Sequence, residues 1–282
     1  MITSIFGFLV YSYFVLYSLL SFLWLKLNRY LDHNIFTKDR PNNIVIIGDS
    51  LAAGFGDWIT TGVNGGLASR LKKYLAEDES LVLPWKVWNC GHFAATSDEW
   101  HPDALTGPMY MAWTVGWRQL FDSVFGEKAG RTKDAKIVVL AVGSFDCRRT
   151  IEGREIEFTK RNIHAIAERL VEMGKYVIIC SLLDIRYKED SAREKSFMGR
   201  HQYKNSAIYA MTKEFSGTVF EGTNLTHVNF LRPRCLDGIH LNTEGYNLMA
   251  EEICPIIKQT ILRVQLDLAA NNKQNPGGKK KL

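Results

Sequence analysis

The sequence of 282 residues has only seven prolines, no C-x-x-C pair, no internal repeat and little net charge. Its five cysteines, Cys90, Cys147, Cys180, Cys235 and Cys254, are scattered, and an odd number cannot all pair within one chain. Without paired cysteine spacing, a zinc ribbon or a dithiol redox site has no motif to stand on. Cys90 and Cys180 end apolar runs, where a free Cys behaves as a small hydrophobe. That usage favours a reducing compartment. The net charge of +5 comes from 35 Lys+Arg against 30 Asp+Glu. Lys273, Lys279, Lys280 and Lys281 crowd the last ten residues, so the rest of the chain is close to neutral. This excludes the clustered basic face of a nucleic-acid-binding domain. A composition that is 46% hydrophobic and 23% charged excludes a disordered chain.

Charge is missing altogether from residues 1–25. The run from Ile5 to Leu25 is rich in Phe, Leu, Val and Tyr, interrupted only by small polar residues. About 20 such residues span a bilayer core as a helix. A cleaved signal peptide would show a basic start, a shorter apolar core and a small-residue cleavage site, and none is present. Residues 1–25 are expected to form an uncleaved transmembrane anchor, followed by a linker over 26–42. Lys26, Arg29, Lys38 and Arg40 follow the apolar run. By the positive-inside rule they place the bulk of the chain on the cytoplasmic side. The ending Lys279-Lys280-Lys281-Leu282 resembles a dilysine retrieval signal of the endoplasmic reticulum; the alternative is a solvated basic tail. The sequon Asn224-Leu225-Thr226 would matter only on the lumenal side.

From residue 43 the chain alternates. Continuous Ile/Val content predicts buried strands over 43–48, 136–142 and 176–182, with a further strand over 85–90. A fifth strand is expected at 218–220 or at 227–230. Apolar residues three and four apart predict helices over 66–77, 108–125, 155–173, 194–215 and 244–262, the last bent or broken near Pro255. A domain over 43–264 and a disordered basic tail over 265–282 follow. Strands alternating with helices imply βαβ units and a mostly parallel sheet, with sites at the carboxyl ends of its strands.

Those ends carry Gly48-Asp49-Ser50-Leu51, Asn89-Cys90-Gly91-His92, Gly143-Ser144-Phe145-Asp146 and, before the last helix, Asp237-Gly238-Ile239-His240. A serine hydroxyl is inert at its free pKa and needs a base, which itself needs an orienting group. Asp237 and His240 are three residues apart, so one turn brings the carboxylate to the imidazole, where it fixes the tautomer. Asp49 and Asp146 are expected to hold loops through backbone hydrogen bonds. His92 and His101 are expected to cap the loop or face solvent. Trp100, Met109, Tyr110, Trp113 and Trp117 could line an acyl groove or fill a core. Arg148 and Arg149 could meet an anionic head group or form a solvated rim.

Over about residues 43–262 the sequence resembles the SGNH (GDSL-type) hydrolases. The block Ile46-Ile47-Gly48-Asp49-Ser50-Leu51-Ala52-Ala53-Gly54 and the block Asp237-Gly238-Ile239-His240 carry the resemblance. It implies an α/β fold: a three-layer α/β/α sandwich around a five-stranded parallel, flavodoxin-like sheet. It also implies Ser50 as nucleophile, His240 as base and Asp237 as its orienter. No metal or organic cofactor is implied, and the substrates are acyl esters, including lipids. The family's second block reads N-x-G-x-x-G-x-T-S. Here Asn89, Gly91, Thr96 and Ser97 fit, and Ala94 stands where a glycine lends its backbone N–H to the oxyanion hole. The third block is G-x-N-D, and here Phe145 replaces the asparagine that binds the oxyanion. The hole would then rest on the backbone N–H groups of Ser50 and Ala94. Losing one donor costs about 10²–10³ in rate, which a serine esterase can absorb. The implied function is a membrane-anchored serine ester hydrolase. The alternative is a catalytically impaired relative serving as a structural or binding subunit of a membrane complex.

Overall fold

The computed structural model describes residues 12, 13, 16, 20, 23, 42–57, 65–81, 85–93, 95–104, 119–146, 155–183, 213, 215, 218–223 and 240–274. The apolar runs form β1 (Asn42–Gly48), β2 (Trp85–Asn89), β3 (Ile137–Ala141), β4 (Tyr176–Cys180) and β5 (Val219–Thr223). All pair in parallel in the order β2-β1-β3-β4-β5. Every residue of β1 and β3 is buried, as a sheet covered on both faces requires. The helices are α1 (Ser50–Ala53), α2 (Gly66–Glu77), α3 (Leu120–Phe125), α4 (Glu155–Glu172) and α5 (Thr243–Gln274).

Alternation along the strands divides the core in two. Ile44, Ile46, Ile137, Val139 and Ile178 point to one face, where Leu67 and Leu71 of α2 and Met249, Ile253 and Ile257 of α5 cover them. Val45, Ile47, Val138, Leu140, Val177 and Ile179 point to the other, under Phe121 and Val124 of α3 and Ile163, Ile166 and Leu170 of α4. The result is helix, sheet and helix in three layers. Strand order reverses at β1, whose neighbours β2 and β3 lie on opposite sides. The crevice at its carboxyl end is the switch point where open parallel sheets hold their sites.

Three expectations differ from the structure. A helix over 108–125 reduces to α3, because Gln119 is extended (φ −57°, ψ 130°) and admits no helix through it; residues 105–118 lie outside the described ones. In the expected helix over 194–215, only Lys213 and Phe215 are described, and they lie in a turn and a bend. Phe215 meets the His164 ring there, 5.1 Å between centroids. The last helix runs unbroken through Pro255 to Gln274, past the boundary at 264 and into the expected tail. Pro255 and Glu251 both lie on the exposed face, so the Glu251 carbonyl left without its intrahelical partner meets water. Beyond 262, Val264 is buried and Leu268 packs against the core, and the Tyr176 hydroxyl donates to Asp267.

The fifth strand takes the first of its two expected places, over 219–223. Of the expected anchor, only residues 12, 13, 16, 20 and 23 are described, all helical. The rest of 1–25, all of the expected linker over 26–42 but Asn42, which begins β1, and residues 275–282 lie outside the described residues. Among the described residues, no helix is long and apolar enough to cross a membrane.

Candidate active site

β1 ends in a backbone that only glycine can adopt. Gly48 has φ +143°, and a Cβ there would sit 1.8 Å from the Ala141 carbonyl oxygen of β3. The next N–H, of Asp49, donates to that oxygen at 3.0 Å. Asp49 then caps α1, its Oδ1 accepting the Leu51 N–H at 2.9 Å. Ser50 follows as the first helical residue, so its N–H has no intrahelical partner. Its carbonyl accepts the Phe55 N–H at 2.9 Å.

His240 arrives from the other end of the chain, just before α5. Asn242 caps that helix, its Oδ1 accepting the Gly245 N–H at 3.0 Å, and Leu241 is fully buried. His240 Nε2 lies 3.0 Å from Ser50 Oγ. Both side chains are nearly enclosed, Ser50 at 2% and His240 at 8% exposure. Three aromatic rings surround the imidazole: Phe55 edge-on at 4.4 Å, Phe93 at 6.0 Å and Phe145 stacked at 6.3 Å. The residue in the oxyanion asparagine's place thus packs on the base and offers no donor. Asp237 and Ala94 lie outside the described residues.

The second block is fastened to α1. Asn89 Nδ2 donates to the Ala53 carbonyl at 3.1 Å, and its Oδ1 accepts the Gly91 N–H at 3.1 Å. Gly91 touches the helix so closely that a Cβ would meet the Ala53 nitrogen at 2.3 Å. Trp100 is fully buried and donates from Nε1 to the Gly48 carbonyl at 3.0 Å. It is core, not groove wall; Met109, Tyr110, Trp113 and Trp117 lie outside the described residues, as do Arg148 and Arg149. His101 Nδ1 accepts the Asp103 N–H at 3.1 Å, a loop cap as expected. His92 is partly exposed, its ring 6.2 Å from that of Trp100.

Both acids hold loops. Asp146 Oδ1 accepts the Ser97 N–H at 2.8 Å, while its Oδ2 accepts the hydroxyls of Ser97 at 2.5 Å and Thr159 at 2.6 Å. Asn162 of α4 donates to the Ser97 hydroxyl at 3.0 Å. The second and third blocks are therefore joined below the site. Burial pushes the Asp49 carboxyl up to about 7, with the Asp146 charge adding to the rise and hydrogen bonds from Leu51 and Ser144 opposing it. Cys180, beneath the site, is buried with its thiol pushed up to about 12 by desolvation, which leaves it inert.

The family model for GDSL-like lipase/acylhydrolase matches residues 44–253. The chain belongs to this GDSL-like hydrolase family. Three solved structures share the GDSL-type fold. A GDSL-like lipase from Bacteroides thetaiotaomicron is 18% identical, with a TM-score of 0.51 and coverage of 85% of this chain and 98% of that one. The psychrotrophic esterase EstA from Pseudoalteromonas sp., solved with monoethylphosphonate as inhibitor, is 15% identical at 0.51, covering 78% and 98%. A lipase from a goat rumen metagenome is 14% identical at 0.51, covering 74% and 94%. No curated protein matches the chain.

This GDSL-like hydrolase also holds a second buried polar cluster that no local motif marks. Asp57, in the turn after α1, accepts the Arg70 Nη1–H at 2.6 Å, the Gly66 N–H at 2.9 Å and the Thr243 hydroxyl at 2.7 Å. Burial opposes the Asp57 charge, but the Arg70, Gly66 and Thr243 hydrogen bonds outweigh it and hold the carboxyl below its usual range. Tyr246, fully buried, places its hydroxyl 3.1 Å from the carbonyls of both Leu51 and Phe55.

Proposed function

We propose that this GDSL-type hydrolase is a membrane-anchored serine esterase or lipase that cleaves acyl esters through Ser50, His240 and Asp237. The observation that carries the reading is the 3.0 Å approach of His240 Nε2 to Ser50 Oγ from opposite ends of the chain. Ser50 Oγ attacks the ester carbonyl as His240 Nε2 takes its proton. The resulting oxyanion is received by the backbone N–H groups of Ser50 and Ala94. Asp237 is the residue proposed to accept the His240 Nδ1–H and so stabilise the charged imidazole. Collapse expels the alcohol, which leaves with the proton from His240. Water, deprotonated by His240, then attacks the acyl-enzyme and releases the acid and free Ser50.

The charge-free stretch over 1–25 supports the anchor. Tyr13, Leu16, Leu20 and Leu23 share one helical face by their spacing and are about half exposed, at 48%, 54%, 55% and 52%. That exposure suits contact with lipid. Lys26, Arg29, Lys38 and Arg40 favour a cytoplasmic domain.

The test is hydrolysis of p-nitrophenyl esters of graded acyl length by the full chain. Wild type should turn over, and Ser50→Ala and His240→Ala should each lose activity by about 10³-fold or more. Equal rates in all three would sink the reading. One observation favours a second reading, a silent binding subunit of a membrane complex: Phe145 fills the oxyanion side of the site with a ring stacked on the base. A stoichiometric membrane complex that survives Ser50→Ala, together with absent turnover, would support it.

A further inference from the structure

We propose that Asp57, Arg70 and Thr243 form a clasp that positions His240 against Ser50. This rests on the hydrolase reading and adds three positioning residues to it. Ser50 and His240 lie on different elements, α1 and the loop into α5, and a misplacement of about 1 Å costs roughly 100-fold in rate. Something must fix the first turn of α5 relative to the exit of α1.

The clasp joins those two places. Thr243, three residues after His240, donates its hydroxyl to Asp57 Oδ1 at 2.7 Å. Arg70 of α2 pairs with Asp57 Oδ2 at 2.6 Å and turns the rest of its fork on α5. Its Nη2 donates to the Thr243 carbonyl at 3.0 Å and its Nε to Asn247 Oδ1 at 2.6 Å. Tyr246, on the same turn of α5, reaches the carbonyls of Leu51, within α1, and Phe55, just after it. Phe55 lies between Ser50 and Asp57 in the chain, and its ring meets the His240 imidazole at 4.4 Å. The contacts therefore run from the nucleophile's helix, through Phe55 and Asp57, to the residue that starts the base's helix.

A buried ion pair adds little net stability over apolar packing of equal volume, so geometry is what this one supplies. Elsewhere α5 is tied to the end of α2 by the Lys258–Asp78 pair at 2.6 Å, well away from the site. That pair is the internal control, since it fastens the same two helices without touching the residues beside His240.

The experiment uses the full chain and two readouts. The first is the NMR resonance of His240 Nε2 at one fixed pH, with and without Ser50→Ala. The second is the rate of modification by a fluorophosphonate probe. In wild type, Ser50→Ala should shift the His240 Nε2 resonance, because it removes the hydroxyl 3.0 Å away. That shift should vanish in Thr243→Val and Arg70→Lys, and persist in Thr243→Ser, which restores the hydroxyl, and in Lys258→Met. Probe modification should fall about ten- to hundredfold in the first pair, with circular dichroism unchanged, and stay at the wild-type rate in the second pair. If Lys258→Met affects both readouts as Thr243→Val does, the clasp is ordinary helix packing and the inference falls. It falls also if Thr243→Val leaves the coupling intact, or if wild type shows no coupling. A wild type that resists the probe yet keeps the coupling defeats the hydrolase reading alone and leaves the clasp standing.

Discussion

Replacing Phe145 with asparagine should speed hydrolysis by this chain. The ring is buried at 7% exposure and stacks on His240 at 6.3 Å with an interplanar angle of 25°. It stands where the family's third block has asparagine, so on the proposed reading the oxyanion has one donor fewer. One such donor is worth about 10²–10³ in rate, or roughly 3–4 kcal/mol of barrier. The substitution also empties part of a packed site. Truncating a buried Phe costs up to about 3–5 kcal/mol, and asparagine refills only some of the volume. Against a typical stability of about 5–15 kcal/mol the variant stays folded well below its melting point. Phe145→Leu separates the two effects, because it stays apolar, costs about 1.5 kcal/mol and adds no donor. Steady-state kcat on a p-nitrophenyl ester, beside thermal melts of both variants, decides the matter. The expectation is a rise in kcat for asparagine alone, with melting points lowered in both. Equal rates for the two variants, or a fall for asparagine, would refute the reasoning and place the oxyanion elsewhere.

Three further outcomes follow from the buried charges and the strand end. Asp57→Asn leaves Arg70, still 17% exposed, without its partner, and should cost about 3 kcal/mol at neutral pH in a urea titration. The Asp57 carboxyl is held below its ordinary 3.8 in the folded chain, so its contribution is present above that pH and lost as pH falls through the folded value. The penalty should shrink at pH 3, and an unchanged penalty would contradict the pairing. Asp49 has the opposite sign: raised from 3.8 to about 7, it favours folding below pH 3.8 and loses that contribution as pH rises through about 7. Asp49→Asn keeps the cap and should gain stability over wild type at pH 8 and not at pH 4; the same difference at both would contradict the raised value. Gly48→Ala forces a Cβ to 1.8 Å from the Ala141 oxygen and should cost more than about 4 kcal/mol, read as loss of the folded fraction by circular dichroism; a stable variant would contradict the geometry at the strand end.

Much of the sheet was legible because burial on both faces writes itself as unbroken Ile and Val, as in 44–47 and 137–139. Helix α2 was legible from the spacing of Leu67, Leu71, Tyr74 and Leu75, of which the first two are buried. The serine and the histidine were legible because each follows a short block with few ways to fold. The extension of α5 was hidden by Pro255 and by a mixed face where only Val264 and Leu268 reach the core. The clasp was hidden for a different reason. Asp57 and Arg70 are ordinary residues of a turn and a helix, and their third partner, Thr243, is 186 positions from Asp57. Only the fold brings them together, so no local pattern could announce the pair. Asp57 is buried in an apolar setting with a full set of donors, which composition alone does not reveal.

The most direct measurement is fluorophosphonate modification of the full chain, read by intact mass and located by peptide mapping. The account predicts a single adduct on Ser50 that Ser50→Ala abolishes and that His240→Ala slows by orders of magnitude. No adduct at any pH, or an adduct that survives Ser50→Ala, would contradict the claim that these two side chains form a working nucleophile and base.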